Sequence, residues 1–394
     1  MICINILVFC NVDLSQKWGD YTRVFSLMNA FSRRGHGVFV LVIRSEHKSP
    51  SIKYFKENGV DVVEIHPPSF IKLKGTRGIG RYINYVSCLF SISKEVSKII
   101  KQHKIDYVYS YMPGIGSSLP ATRVKSKCKI PFILDFADLH VFVKPKRIAD
   151  SAFGNADKIL VITEYLRNDL EKKGINTSKI FTLPNGVDLQ LFNADNYDKN
   201  EIKKLRDSFG ANYVIMFAGS LQDLNMIIDS SPKVIREIKN VKYVIIGDHR
   251  DPFRSKEAWE TKVKSKGLDN HFIFLGKKPK EEIPKYLLCA DVCVDSFPDE
   301  PYYAAAHPIK LLEYGACEKP IVATRVEETE KLVKHGTFGY LAKPGDIDEY
   351  ANYIVELLNS PSLREKMGKN FSEFIKKEFS WDYLAQKLEQ LLTI

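Results

Sequence analysis

Residues 307–324 read HPIKLLEYGACEKPIVAT. Pro308 suits the first turn of a helix, where its missing N–H leaves no intrahelical bond unmade, and residues 309–316 can follow as that helix. KPIVAT, residues 319–324, is then a short apolar run behind a turn, which reads as a buried strand. A helix followed by a buried strand is half of the repeating unit of a parallel sheet.

The same step recurs in both directions. In the first half, CINILVF (3–9), GVFVLVI (37–43), VDVVEI (60–65), DYVYSY (106–111), PFILDF (131–136), KILVIT (158–163) and KIFTLPN (179–185) are strand-like, with helical spacing between several of them, as over 21–34 and 83–102. Polarity rises across NADNYDKNEIKK, 193–204, which places a linker near 192. Alternation restarts with YVIMFAG (213–219), VKYVIIG (241–247), HFIFLG (271–276), VCVDSF (292–297), KPIVAT and GYLA (339–342). The fold class predicted is α/β, two doubly wound Rossmann-like domains over 1–192 and 193–375. Residues 376–394 end in SWDYLAQKLEQLL, an amphipathic helix expected to cross back onto the first domain.

Composition agrees with that plan. A chain of 394 residues exceeds what one core usually organises, and 44% hydrophobic with 27% charged residues is a globular balance. The formal charge of +10 favours an anionic partner, but lysines spread along the whole chain, with no zinc-finger or RNP-like spacing, argue against nucleic acid. Seven cysteines without paired spacing point to a reducing compartment, and Cys289 and Cys293 in LLCADVCV read as core residues, not metal ligands. MICINILVFC carries no basic leader and is too short to span a bilayer, so the protein is expected in the cytoplasm.

Ligands of doubly wound sheets bind outside the carboxyl ends of the strands, so the loops after each strand carry the chemistry. Lys310 in the first turn of the predicted helix is unfavourable there unless an anion compensates it, and a diphosphate at the helix start would do so. Glu313 lies one turn on, on the same face. That spacing fits an i,i+3 surface ion pair as well as it fits a ligand pair; the apolar run around Glu313 favours a half-buried acceptor for ligand hydroxyls.

HPIKLLEYGACEKPIVAT resembles the nucleotide-sugar loop of the GT-B glycosyltransferases, specifically the retaining group called glycosyltransferase family 4. An ordered series along nearly the whole chain carries the resemblance: FSRRGHGVFVLV, ADKILVITEYLRNDLEKKG, KIFTLPNGVDLQLF, VIMFAGSL, VKYVIIGD, FIFLGKKPKEEIPKYLLCADVCV and HGTFGYLAKPGDIDEYANYIVELL. The resemblance implies two domains facing each other across a cleft. It implies a glycosyltransferase that moves a sugar, with retention, from a nucleoside diphosphate sugar to a saccharide or lipid-linked acceptor. By it, Glu313 accepts hydrogen bonds from the ribose, the backbone of His307, Ile309, Lys310 and Leu311 meets the diphosphate, and Gly219, Ser220 and Asp248 complete the donor side.

Two departures from the family pattern stand out. Ala305 occupies the first glutamate position of the common E-x7-E motif, and Ser220 and Asn225 occupy positions where many members carry Arg and Lys against the diphosphate. The resemblance then implies Lys310 as the principal phosphate cation. No cofactor and no metal is expected, since no Asp-x-Asp motif is found that would hold a divalent cation between a strand end and the diphosphate. The same departures also describe a non-catalytic partner subunit that keeps nucleotide binding without turnover.

The first domain supplies the acceptor side. PFILDFADLH brings Asp135, Asp138 and His140 to a strand end; Asp138 fits a helix N-cap on residue type alone, and the resemblance places Asp138 and His140 beside the donor sugar or acceptor as the catalytic candidates. DLSQKWGDYTRV, 13–24, takes the place of the family's glycine-rich acceptor loop, with Gly19 and Asp20 as acceptor-binding residues. Asp20 and Arg23 also read as a dipole-compensating residue and a solvated charge. SFPDEPYY, 296–303, reads as a lid over the donor sugar. The basic and aromatic stretch 70–104 fits either a helix packed on the sheet or a peripheral contact with the inner face of a membrane, which would suit a lipid-linked acceptor.

Overall fold

The computed structural model describes residues 3–14, 19–44, 51–57, 59–66, 92–139, 146–249 and 251–393. The chain divides into two compact units, Met1–Asn185 with Trp381–Ile394, and Gly186–Ser380.

In the first unit the described residues form one sheet of β1 (Asn5–Cys10), β2 (Gly37–Ile43), β3 (Ser51–Glu57), β4 (Val60–His66), β5 (Tyr107–Tyr111), β6 (Phe132–Phe136), β7 (Lys158–Val161) and β8 (Ile180–Thr182), in the order β3-β4-β2-β1-β5-β6-β7-β8. Central strands such as β6, FILDF, are buried at every position, because helices cover both faces of a parallel sheet. β3 is the exception. It pairs antiparallel to β4 at the sheet edge and leaves Ile52, Lys53, Tyr54 and Lys56 exposed. A charged edge strand of this kind shows neither a continuous apolar run nor clean alternation, so the sequence reading passed over it.

The helix Gly19–Arg33 buries Tyr21, Val24, Phe25, Leu27, Met28 and Phe31, and shares one core with Trp381, Leu384, Ala385 and Leu388 of the C-terminal helix Trp381–Thr393. Ion pairs fasten this last helix at its two ends, Arg33 to Asp382 at 2.7 Å and Arg34 to Glu389 at 2.7 Å.

The second unit is a parallel sheet of β9 (Tyr213–Ala218), β10 (Val241–Ile246), β11 (Phe272–Gly276), β12 (Val292–Val294), β13 (Ile321–Thr324) and β14 (Gly339–Ala342), in the order β11-β10-β9-β12-β13-β14. The boundary falls at Asn185/Gly186, ahead of the expected position near 192. Val187 and Phe192 are the reason: both are buried in the core of the second unit, so the chain has already joined it before the polar stretch begins. The helix returning to the first unit begins at Trp381; the preceding helix, Pro361–Glu378, belongs to the second unit, where Ile375 and Phe371 fit against Gly315 of the helix Ile309–Ala316. A Cβ on Gly315 would lie 2.7 Å from Ile375 Cγ1, so the two helices approach this closely only because that position is glycine.

No helix of the described residues is long and apolar enough to cross a membrane. Of the stretch 70–104, residues 70–91 lie outside the described residues; 92–102 are helical, with Ile92, Val96 and Ile99 buried. Among the described cysteines, Cys3, Cys10, Cys128, Cys289, Cys293 and Cys317 are all free thiols.

Candidate active site

In the second unit the start of the helix Ile309–Ala316 lies beside the ends of β9 and β12. The helix Ile309–Ala316 begins behind Pro308, which supplies no side-chain cap. Tyr314 locks that helix to the end of β9: its hydroxyl accepts from Ala218 N at 2.9 Å and donates to Ala218 O at 3.2 Å.

Lys310 and Glu313 do not pair with each other. Lys310 Nζ lies 2.7 Å from Asp295 Oδ1, just past the end of β12, and over the rings of Phe217 and Phe297 at 4.5 and 4.7 Å. Asp295 is fully buried; burial raises its carboxyl above the ordinary range, against the pull of Lys310. Glu313 is half-buried with Oε1 3.5 Å from Lys280 Nζ on the loop after β11, and burial likewise raises its carboxyl while Lys280 opposes. Sequence reasoning missed both partners. Asp295 sits inside the apparent strand VCVDSF, and Lys280 sits in a loop of several lysines with nothing to single it out.

Gly219 and Gly247 bring two strand ends into near contact. Gly219 N donates to Ile246 O at 2.9 Å, and a Cβ on Gly247, whose φ is +137°, would lie 1.8 Å from Gly219 O. Ser220 is exposed beside this crossing. Asp248 spends one carboxylate oxygen on its own turn, accepting from His249 N at 2.8 Å and Lys256 N at 3.1 Å. Asn225 Oδ1 accepts from Lys262 Nζ of the helix Lys256–Ser265. His307 is buried with its ring 5.6 Å from Phe379, and Leu311 is wholly in the core, so Leu311 offers a ligand only its backbone. Ile309 is half-buried at the helix start, and Ala305 is buried. Within the stretch expected as a lid, Phe297 and Tyr303 pack with Val326 as a small apolar cluster, which anchors it.

In the first unit, Asp135 is no reactive group. It is fully buried and gripped by Arg23, Nε to Oδ2 at 2.8 Å and Nη2 to Oδ1 at 2.7 Å, and also accepts from the Tyr109 hydroxyl. Arg23, read from sequence as a solvated charge, is 1% exposed and also donates to Leu183 O, Pro184 O and Asn185 Oδ1. This guanidinium ties the first helix to β6 and to the chain leaving β8.

Asp138 is half-buried beyond β6; Oδ1 accepts from Leu139 N at 2.7 Å, and burial raises its carboxyl. The N-cap reading of Asp138 turns on residues 140–145, which lie outside the described residues. Gly19 is the first described residue of the first helix, and Asp20 Oδ1 accepts from Tyr21 N at 2.8 Å. Burial and then the charges of Asp135 and Asp20, against that of Arg23, push the Tyr111 phenol up. His140 and residues 15–18 of the acceptor loop lie outside the described residues. Among the described residues no group of three or more His, Cys, Asp or Glu is placed to hold a metal ion.

Two family models match the chain, Glycosyltransferase Family 4 over residues 21–191 and Glycosyl transferases group 1 over 212–360. An uncharacterized glycosyltransferase of Methanocaldococcus jannaschii is 28% identical over 338 residues, 83% of this chain and 84% of that protein. The N-acetyl-alpha-D-glucosaminyl L-malate synthase of Bacillus anthracis is 20% identical over 313 residues, 76% and 78% of the two chains. The crystal structure of Anabaena HepE in complex with UDP and glucose superposes with a TM-score of 0.74 at 17% identity, covering 99% of each chain. Sucrose-phosphate synthase from Thermosynechococcus elongatus gives 0.74 at 16% identity over 99% and 98%. The chain belongs to the GT-B glycosyltransferases of the family 4, group 1 type.

Proposed function

We propose that this glycosyltransferase takes its sugar from a nucleoside diphosphate sugar bound at the strand ends of the second unit and transfers it, with retention, to a saccharide or lipid-linked acceptor. One observation carries the reading: Lys310 and Glu313, one turn apart at an uncapped helix start, each have a separate counter-ion, and the Lys310 stem runs beside Gly219, which Gly247 meets. Lys310 and the helix N–H groups receive the diphosphate and stabilise it as it leaves, which is where charge develops in sugar transfer. Glu313 takes the ribose hydroxyls, and the backbone of His307, Ile309 and Leu311, with Gly219 and Ser220, shapes the phosphate end. Asp248 contributes there through its turn. UDP is the first nucleotide to try, because the HepE structure of the same fold holds it.

On the first unit, Asp138 and His140 act at the reacting carbon, and Gly19 and Asp20 line the acceptor side. The reaction runs without a metal. The net charge of +10 would draw the protein to an anionic surface at the inner face of a membrane, where a lipid-linked acceptor is presented. Sedimentation with anionic vesicles tests that placement; a protein left in the supernatant at low salt contradicts it.

The function is tested by titrating UDP, GDP, ADP and their common sugar conjugates in EDTA and then in magnesium, and by following diphosphate release. Selective binding of one diphosphate in EDTA, with release from its sugar conjugate, is expected. Binding without release under any acceptor would instead favour a partner subunit that holds nucleotide without turnover.

A further inference from the structure

We propose that Asp295 is the positioning residue for Lys310, holding the ammonium at the helix start in the orientation that receives the donor diphosphate; this rests on the assignment of Lys310 given above. Lysine in the first turn of a helix faces the positive end of the dipole, and its long stem has many rotamers, so something must fix it there. Three features do so. Asp295 Oδ1 lies 2.7 Å from Nζ, the rings of Phe217 and Phe297 flank the ammonium, and the stem crosses Gly219, where a Cβ would lie 3.1 Å from Lys310 Cδ.

Asp295 is itself held by further hydrogen bonds. Its Oδ1 also accepts from Ser296 N at 3.0 Å, and its carbonyl accepts from the Tyr350 hydroxyl at 2.9 Å. Its Oδ2 is buried with no hydrogen-bond partner. A fully buried carboxylate with one oxygen unsatisfied is a poor device for stability, and an apolar residue would serve a strand end better. Orienting Lys310 accounts for its presence. The Asp295 side chain is 0% exposed and that of Lys310 16%, so the pair turns its positive end outward. An ammonium has three N–H groups, and Asp295 takes one.

The test uses whichever of UDP, GDP and ADP binds the wild-type chain, together with its nucleoside, titrated into Lys310→Met, Asp295→Asn, Asp295→Ala and the Asp295→Asn/Lys310→Met double variant. The readout is the ratio of diphosphate to nucleoside affinity, with melting temperature as the control for folding. Asp295→Asn keeps an acceptor without charge and is expected to lower the ratio about 3-fold, Asp295→Ala about 10-fold, in proportion to a charged hydrogen bond lost. In the Lys310→Met background Asp295→Asn is expected to change nothing further. An equal loss in both backgrounds, an unchanged ratio in Asp295→Asn, or a ratio that rises because the carboxylate merely repels the anion, would overturn the proposal. Should Asp295→Ala not fold, the isosteric Asp295→Asn and its cycle decide alone. A ratio unmoved by Lys310→Met in a folded protein, or no diphosphate binding at all, fails the Lys310 assignment itself and is distinct from a failure of Asp295.

Discussion

Glu313 and Lys280 form an ion pair, Oε1 to Nζ at 3.5 Å, between the helix Ile309–Ala316 and the loop after β11. The carboxyl is raised by burial, with Lys280 acting against that shift. A carboxyl raised in the folded state binds its proton more tightly there than in the unfolded chain, so the stability it confers below the unfolded pKa is lost as pH rises through the folded value. Glu313→Gln is therefore expected to melt higher than wild type at neutral pH, and to lose that advantage in acid. The same variant should bind nucleotide about 10-fold more weakly, and should no longer favour UDP over its 2′,3′-dideoxy form. Calorimetry with the two nucleotides checks this; a preserved preference would remove Glu313 from the ribose.

Arg23 gives a prediction of the opposite kind. It and Asp135 are both fully buried and hydrogen-bonded to each other through two guanidinium nitrogens. Breaking a buried pair by removing one partner costs about 3–5 kcal/mol. Arg23→Met should destabilise the first unit by that amount while nucleotide affinity of the second stays near wild type. Scanning calorimetry with and without nucleotide separates the two, and a loss confined to activity would contradict the structural role.

Gly247 has φ +137°, and a side chain on it would meet Gly219 O. Gly247→Ala is expected to cost roughly 1–3 kcal/mol of backbone strain and to displace Gly219, weakening diphosphate binding if the proposed donor site is correct. Thermal denaturation together with nucleotide titration measures both, and wild-type values for the two would show that the crossing tolerates a side chain.

Asp138 is also raised by burial, opposed by the Leu139 amide. If its ionised form works at the reacting carbon, activity falls as pH drops through this raised value, so the acid limb of kcat/KM lies above the ordinary carboxylate range. Asp138→Asn should lower kcat by about 100-fold or more with the donor KM little changed, and should abolish that limb. An unaltered pH profile in the variant would leave Asp138 as a loop residue.

Much of the fold was legible in the sequence because parallel strands buried on both faces, such as β6 and β10, are continuous apolar runs. β3 was not, since SIKYFKE at a sheet edge carries exposed residues of both characters. Nor could the sequence show that Val187 and Phe192 already pack in the second unit. At the site, the helix start at Pro308 and the spacing of Lys310 and Glu313 were readable from residue type alone. Their counter-ions were not, because Asp295 and Lys280 are brought in by pairings of β12 and β11 that no local pattern records. Arg23 misled for the same reason: a charge in the first turns of a helix looks solvated until β6 supplies Asp135.

The most direct test of the donor site is the affinity of wild type and Lys310→Ala for a nucleoside diphosphate and for its nucleoside, measured by calorimetry in EDTA. A loss several-fold greater for the diphosphate than for the nucleoside is expected, with the fold intact. Equal losses for both ligands would mean that the loop has collapsed and that Lys310 does not hold the phosphates.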